Sequence, residues 1–144
     1  MGTRSLTVFQ DEDGTEIVVL YRQYDGYPSG HGKELCEFLA PFEMTQGLHA
    51  QGTTANGMGC LAAQVIAHFK TAAGGFYLYP AKTRGADEEY IYTVKLVEGK
   101  LKLVITTDAG KQIYKGAPDV AAMAKKLKLT IETNEPLNWV TTRP

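Results

Sequence analysis

An α+β fold, a mainly antiparallel sheet with two to three helices packed on one face, is the architecture this sequence predicts. Three observations carry that prediction. Short apolar runs alternate with period two, two longer stretches repeat at helical spacing, and the strand-like runs meet across Gly-containing turns. The resulting order is ββααβββ, then α with a short tail, which fits an antiparallel sheet covered by helices on one side.

Residues 5–10 (Ser-Leu-Thr-Val-Phe-Gln) and 16–24 are expected as the first two strands. Between them Asp11-Glu12-Asp13-Gly14-Thr15 contains an Asp-Gly pair, a tight-hairpin signal. Residues 33–42 follow as a helix in which Leu35, Cys36, Phe38, Leu39 and Phe42 share a core-facing stripe. Pro41 should end or distort it. Residues 43–56 are polar, carry Gly47, Gly52 and two consecutive threonines, and are expected as a loop; connections of that length are often functional. The cleanest helix is next, with Met58, Leu61, Ala62, Val65, Ile66 and Phe69 forming one continuous stripe. Gly74-Gly75 is expected to close it.

Residues 76–80 form a short aromatic strand, and residues 88–97 and 101–107 a strong hairpin around Glu98-Gly99. Tyr90, Tyr92, Val94 and Leu96 share one face, as do Leu101, Leu103 and Ile105. Asp108-Ala109-Gly110 turns into a strand at 112–114. A third helix is expected with Pro118 in its first turn, burying Val120, Ala121, Met123, Ala124 and Leu127. Residues 129–132 and 137–140 read as short terminal strands.

At 144 residues the chain fits a single domain, residues 1–144, large enough to bury one core. Its formal net charge of −1 gives no global field toward nucleic acid or anionic membrane, so any anion site must be local. No apolar run approaches the roughly 18 residues that span a bilayer. The opening Met-Gly-Thr-Arg-Ser-Leu-Thr turns straight into strand-like sequence, and Leu6 stands where a myristoylation signal wants Ser or Thr. A cytoplasmic protein is the expectation. Cys36 and Cys60 lie on or near apolar helix faces and read as reduced small hydrophobes, with no CxxC or paired-His spacing for zinc.

The densest chemistry lies at Tyr21-Arg-Gln-Tyr-Asp-Gly-Tyr-Pro-Ser-Gly-His-Gly-Lys-Glu, between a strand and a helix. Gly26, Gly30 and Gly32 let a backbone approach a ligand, and the helix start offers unpaired amides and the positive dipole end. Arg22 and Lys33 add charge, Ser29 a hydroxyl, and His31 a switchable donor, a set suited to phosphate or carboxylate. Tyr24 and Tyr27 can stack on a base. Arg4 is expected to join Arg22 through the hairpin register, and Asn56, Gly57 and Gly59 form a second candidate anion-binding helix start. A phosphate-loop NTPase is excluded, because Gly32-Lys33 is followed by Glu34 and Tyr27 occupies the first glycine position. Cys60 in a first helical turn is a weaker nucleophile candidate, with His31 or His49 as base. His68 reads as a partly exposed helix residue. Three scattered histidines without partner spacing argue against a metal site, Asp25 with His31 being the one pairing left open, and no cofactor is implied.

The opening Met1-Gly-Thr-Arg-Ser-Leu-Thr, the Tyr21-to-Gly32 segment and Asn56-Gly-Met-Gly-Cys-Leu-Ala-Ala-Gln together resemble a family of small uncharacterised proteins from phages and bacterial genomes. The resemblance implies a host-cell cytoplasmic context and, by analogy, the company of phage proteins that sequester nucleotide-derived immune signals; it implies no mechanism.

Three functions follow as expectations. The first is a binding protein for a small anionic, nucleotide-like ligand, often a homo-oligomer, without nucleic-acid polymer or membrane as partner. The second is a hydrolase or transferase on a phosphate-containing small molecule, with His31 as acid/base and Asp25 as its orienting partner. The third is a protein-interaction domain in which tyrosines form the hot spot.

Overall fold

The computed structural model describes residues 2–47 and 52–129 and shows the expected α+β architecture. A six-stranded sheet is built from β1 (Ser5–Gln10), β2 (Glu16–Arg22), β5 (Phe76–Tyr79), β6 (Tyr90–Val97), β7 (Lys100–Thr107) and β8 (Gln112–Gly116). Its spatial order is β5-β2-β1-β6-β7-β8, with β1 and β6 parallel and every other pair antiparallel. Three helices, α1 (Lys33–Leu39), α2 (Gly57–Phe69) and α3 (Val120–Leu127), contribute to one core on one face of the sheet.

Period-two alternation decides which residues enter that core. Phe9 and Leu20 of the first hairpin, Tyr92 and Val94 of β6, and Leu103 and Ile105 of β7 all face the helices. Leu35, Cys36 and Leu39 of α1 and the α2 stripe from Met58 to Phe69 meet them there. Each fully buried aliphatic side chain stabilises the fold by about 1.5–3 kcal/mol.

The opposite face holds a smaller cluster, Leu6, Val8, Val19 and Tyr21, against which Tyr79, Ala86 and Ile91 pack. Its cover is the connection from β5 to β6, which must pass over β2 and β1 because the two strands it joins run parallel. Glu16 anchors this strap: its carboxylate accepts from the Lys82 amide at 2.7 Å and from the Arg84 guanidinium at 2.7 Å. The Arg84 hydrogen bond holds the Glu16 carboxyl below its ordinary range.

Several expected boundaries move. β2 stops at Arg22, and α1 at Leu39 rather than residue 42, with a π-helical turn (Pro28–Gly32) leading into it. The stretch expected as a plain loop contains two three-residue strands, β3 (Glu43–Thr45) and β4 (Thr54–Asn56), paired in parallel. Three polar-flanked residues are too few for a period to show. Gly74 and Gly75, with φ of 73° and 77°, do not close α2, which ends at Phe69; they turn the chain into β5. In α3 Met123 is fully buried, Val120 and Leu127 are half-buried, and Ala121 is exposed. Asp119 caps that helix by accepting from the Ala121 amide. No described helix is long and apolar enough to cross a membrane. His49 and the expected strand at 137–140 lie outside the described residues, as does most of that at 129–132.

Candidate functional site

Arg22 is the last residue of β2 and points into the helix face, where only 8% of it remains exposed. A buried guanidinium must have its donors matched. Its Nε donates to the Tyr24 carbonyl at 2.6 Å, and its Nη1 donates to Glu34 Oε1 at 2.6 Å and to His31 Nδ1 at 3.1 Å. The rings of Phe76 and Phe69 lie 5.0 and 5.9 Å from its central carbon. The Nε and Nη1 donors expected to grip an anion are thus already engaged from within the chain.

His31 is fully buried in the π-helical turn, between Phe69 and Tyr92 at ring distances of 5.1 and 4.8 Å. Because arginine can only donate, Nδ1 is the acceptor and the ring carries its proton on Nε2, which donates to Thr7 Oγ1 at 2.7 Å. Burial, reinforced by the Arg22 charge, pushes the imidazole down from 6.5 to about 3. It is a neutral structural strut near pH 7. The orienting role expected of Asp25 falls to Arg22 and Thr7, since they take both ring nitrogens. Asp25 instead holds a turn with φ of 63°, accepting from the Tyr27 hydroxyl through its carboxylate and from the His31 amide through its carbonyl.

The glycines make room for this packing. A Cβ on Gly30 would lie 2.6 Å from the Asp25 carbonyl oxygen and 2.8 Å from Tyr27 Cε1. One on Gly32 would meet Met123 Sδ at 3.1 Å, and one on Gly26 the Ser5 Cβ at 2.8 Å. Tyr92 donates to the Gly26 carbonyl at 2.7 Å. The amides of Gly30, His31, Gly32 and Lys33 all bond within the turn, so the short α1 has no open amide crown there. Ser29 is half-buried in the same turn, and Tyr24 is 55% exposed. Lys33, nearly buried, bonds Glu37.

The other expected members lie elsewhere. Arg4 precedes Ser5, the register partner of Arg22, so strand pleating turns the two arginines to opposite faces. Asn56, Gly57 and Gly59 start α2, whereas the buried knot of Arg22, His31 and Glu34 packs on Phe69 at its far end, about 18 Å away at 1.5 Å per residue. Asn56 Oδ1 accepts from the Gly47 amide, and Gly57 takes a φ of 84°. Cys60 Sγ donates to Gln64 Oε1, while burial pushes the Cys36 thiol up to about 12. Among the described residues no cluster of three or more His, Cys, Asp or Glu is placed to hold a metal ion.

A concave feature lies beside that knot. A cleft of about 680 Å³ runs between α1 and α2, lined by Glu34, Glu37, Phe38, Phe42, Gln64 and His68 among others. Its aromatic wall is continuous: His68 stacks on Phe38 at 4.3 Å and 19°, and Phe38 meets Phe42 at 5.0 Å. Gln64 joins α2 to the chain entering β4, donating to the Thr54 carbonyl at 3.2 Å. Periodicity alone misses this site, because it assigns Phe38 and Phe42 to the core and His68 to ordinary surface. The signal was present as a second stripe, Glu34, Phe38 and Phe42 at four-residue steps, answered by Gln64 and His68 on the other helix.

Comparison with protein-family models, curated sequences and solved structures returned no match.

Proposed function

We propose that this chain is a small-molecule-binding protein rather than an enzyme, and that its ligand presents a planar, nucleobase-like ring to the cleft between α1 and α2. The supporting observation is the stacked Phe38–His68 wall in a concavity of about 680 Å³, within the size range of small-molecule sites. Aromatic faces recognise planar rings, and the Glu34 and Glu37 carboxylates at the rim accept from ring N–H and amino groups. Those two carboxylates disfavour phosphate inside the cleft, so the anionic end of a nucleotide-like ligand belongs outside it. Binding is preferred to catalysis because His31 is buried and neutral, the Cys36 thiol is pushed up, and Cys60 bonds an amide rather than a base.

The test is amide and side-chain NMR with adenine, guanine and their nucleosides as probes. Saturable shifts are expected at Phe38, Phe42, Gln64 and His68, with the probe recovered unchanged. His68→Ala should weaken that binding about tenfold, equivalent to about 1.4 kcal/mol. Shifts that spare these four residues for every probe, or chemical conversion of a probe, would sink the reading.

A further inference from the structure

On the sheet face turned away from the helices, β6, β7 and β8 carry a charge pattern that the fold does not require. Lys95 of β6, Lys100 and Lys102 of β7, and Lys115 of β8 all alternate with core-facing neighbours and so share that outer face. Lys95 and Lys102 stand directly opposite each other in register, and Lys115 is paired with Val104 between them and the sheet edge. None of the four has a carboxylate partner among the described residues. The cluster under the strap from β5 to β6 lies on the β1–β2 side; on the rest of the face Lys100 and Lys115 are exposed and Lys95 and Lys102 half-buried.

Like charges directly opposed across a sheet cost stability. Lysines on a sheet commonly guard an edge strand against pairing with another chain. That explanation serves Lys115 on edge strand β8 but not Lys95 and Lys102, since β6 and β7 are interior strands. An external negative partner would relieve their repulsion.

We propose that this lysine face docks an acidic patch on a partner protein. Charge complementarity selects the partner class. The patch is bounded by acidic residues at both strand ends: Asp11 and Glu98 beyond one, Glu89 and Asp108 beyond the other. An extended polyanion, whether nucleic acid or an anionic bilayer, would meet those carboxylates as well as the lysines. A compact acidic protein patch engages the lysines alone, and its own basic rim meets the acids. The four positions are lysines with no arginine fork for bidentate phosphate contact, and no aromatic side chain stands among them on β6 or β7 to stack a base. A chain with a net charge of −1 also lacks the overall attraction that polymer binding draws on.

The test uses the full chain with hexaglutamate as probe, read by amide NMR at low salt. Shifts are expected at Thr93, Lys95, Lys102, Val104 and Lys115, and they should vanish at about 0.5 M salt, where screening shortens to a few ångströms. The Lys95→Gln/Lys102→Gln double variant should bind hexaglutamate about tenfold more weakly, with thermal stability raised slightly by relief of the opposed charges and unchanged response at the α1–α2 cleft. Absence of shifts on this face, or equal binding by the double variant, would overturn the proposal. So would tighter binding, at equal charge concentration, of a thymidine oligonucleotide or of phosphatidylserine vesicles. Self-association abolished in the double variant would likewise overturn it, by assigning the face to a second copy of this chain.

Discussion

Glu34 belongs to two regions of the molecule at once. It accepts from Arg22 in the buried knot, and it lines the α1–α2 cleft. On the knot side the space is filled: a histidine with no exposure, a guanidinium with three internal acceptors, and glycines whose missing Cβ atoms make room for neighbours. On the cleft side the space is open and walled by aromatic rings. Both regions contain the residue types of a binding site. What separates them is whether the chain's own atoms already satisfy those groups, and only the second has room for something else.

The largest expected effect tests that separation at its hinge. Arg22→Ala removes the partner of a largely buried carboxylate contact and leaves Glu34 and His31 facing each other without a donor between them. Breaking one side of such a pair costs about 3 kcal/mol or more, somewhat less here because the Glu34 side chain keeps 31% exposure. Arg22→Lys should recover little, because a single ammonium cannot reproduce the fork that reaches three acceptors. Urea denaturation measures both. A folded Arg22→Ala protein of undiminished stability that has lost ligand binding would return the site to the knot.

A second, smaller effect concerns pH. The unfolded chain protonates this histidine below its ordinary 6.5, while the folded chain does so only near 3. Between those values the unfolded state holds more protons, so stability is fully present above 6.5 and falls as pH drops toward 3. His31 ring resonances should therefore show no titration from pH 8 to 5. A midpoint near 6.5 would mean that the imidazole reaches water and can act as an acid or base.

The contrast between knot and cleft also explains what could be read in the sequence. Long periodic elements were legible: the α2 stripe from Met58 to Phe69 and the β6–β7 alternation from Tyr90 to Thr107 declare their buried faces directly. β3 and β4, at three residues each, fall below the length at which a period exists. Crowding at Tyr21 to Glu34 was legible as a place, but not as a purpose. Burying an arginine beside a histidine demands partners in the same number and of the same kind as binding a phosphate would, so composition alone cannot separate the two. The cleft was hidden for the opposite reason. Phe38 and Phe42 continue the apolar pattern of α1, which reads as core; Pro41 marks where the helix stops but not that both rings stay half-buried at the surface.

Glycines offer the finest resolution of the difference, because the same substitution should have opposite signs in packed and open places. Gly30 sits in the knot with the Asp25 carbonyl oxygen 2.6 Å from where a Cβ would stand. That atom is backbone and cannot swing aside, so Gly30→Ala should destabilise by about 1–3 kcal/mol, the range for overpacking. Gly59 lies in the first turn of α2, is exposed, and has nothing within 4 Å of where an added methyl would stand. There the backbone is already helical and alanine removes only unfolded-state freedom. Gly59→Ala should stabilise by about 0.5–1 kcal/mol. Thermal denaturation of the two variants measures both signs in one experiment. A stability loss at Gly59 would mean that the α2 start is packed more tightly in the folded chain than the open space around it indicates, and would break the contrast between the two glycines.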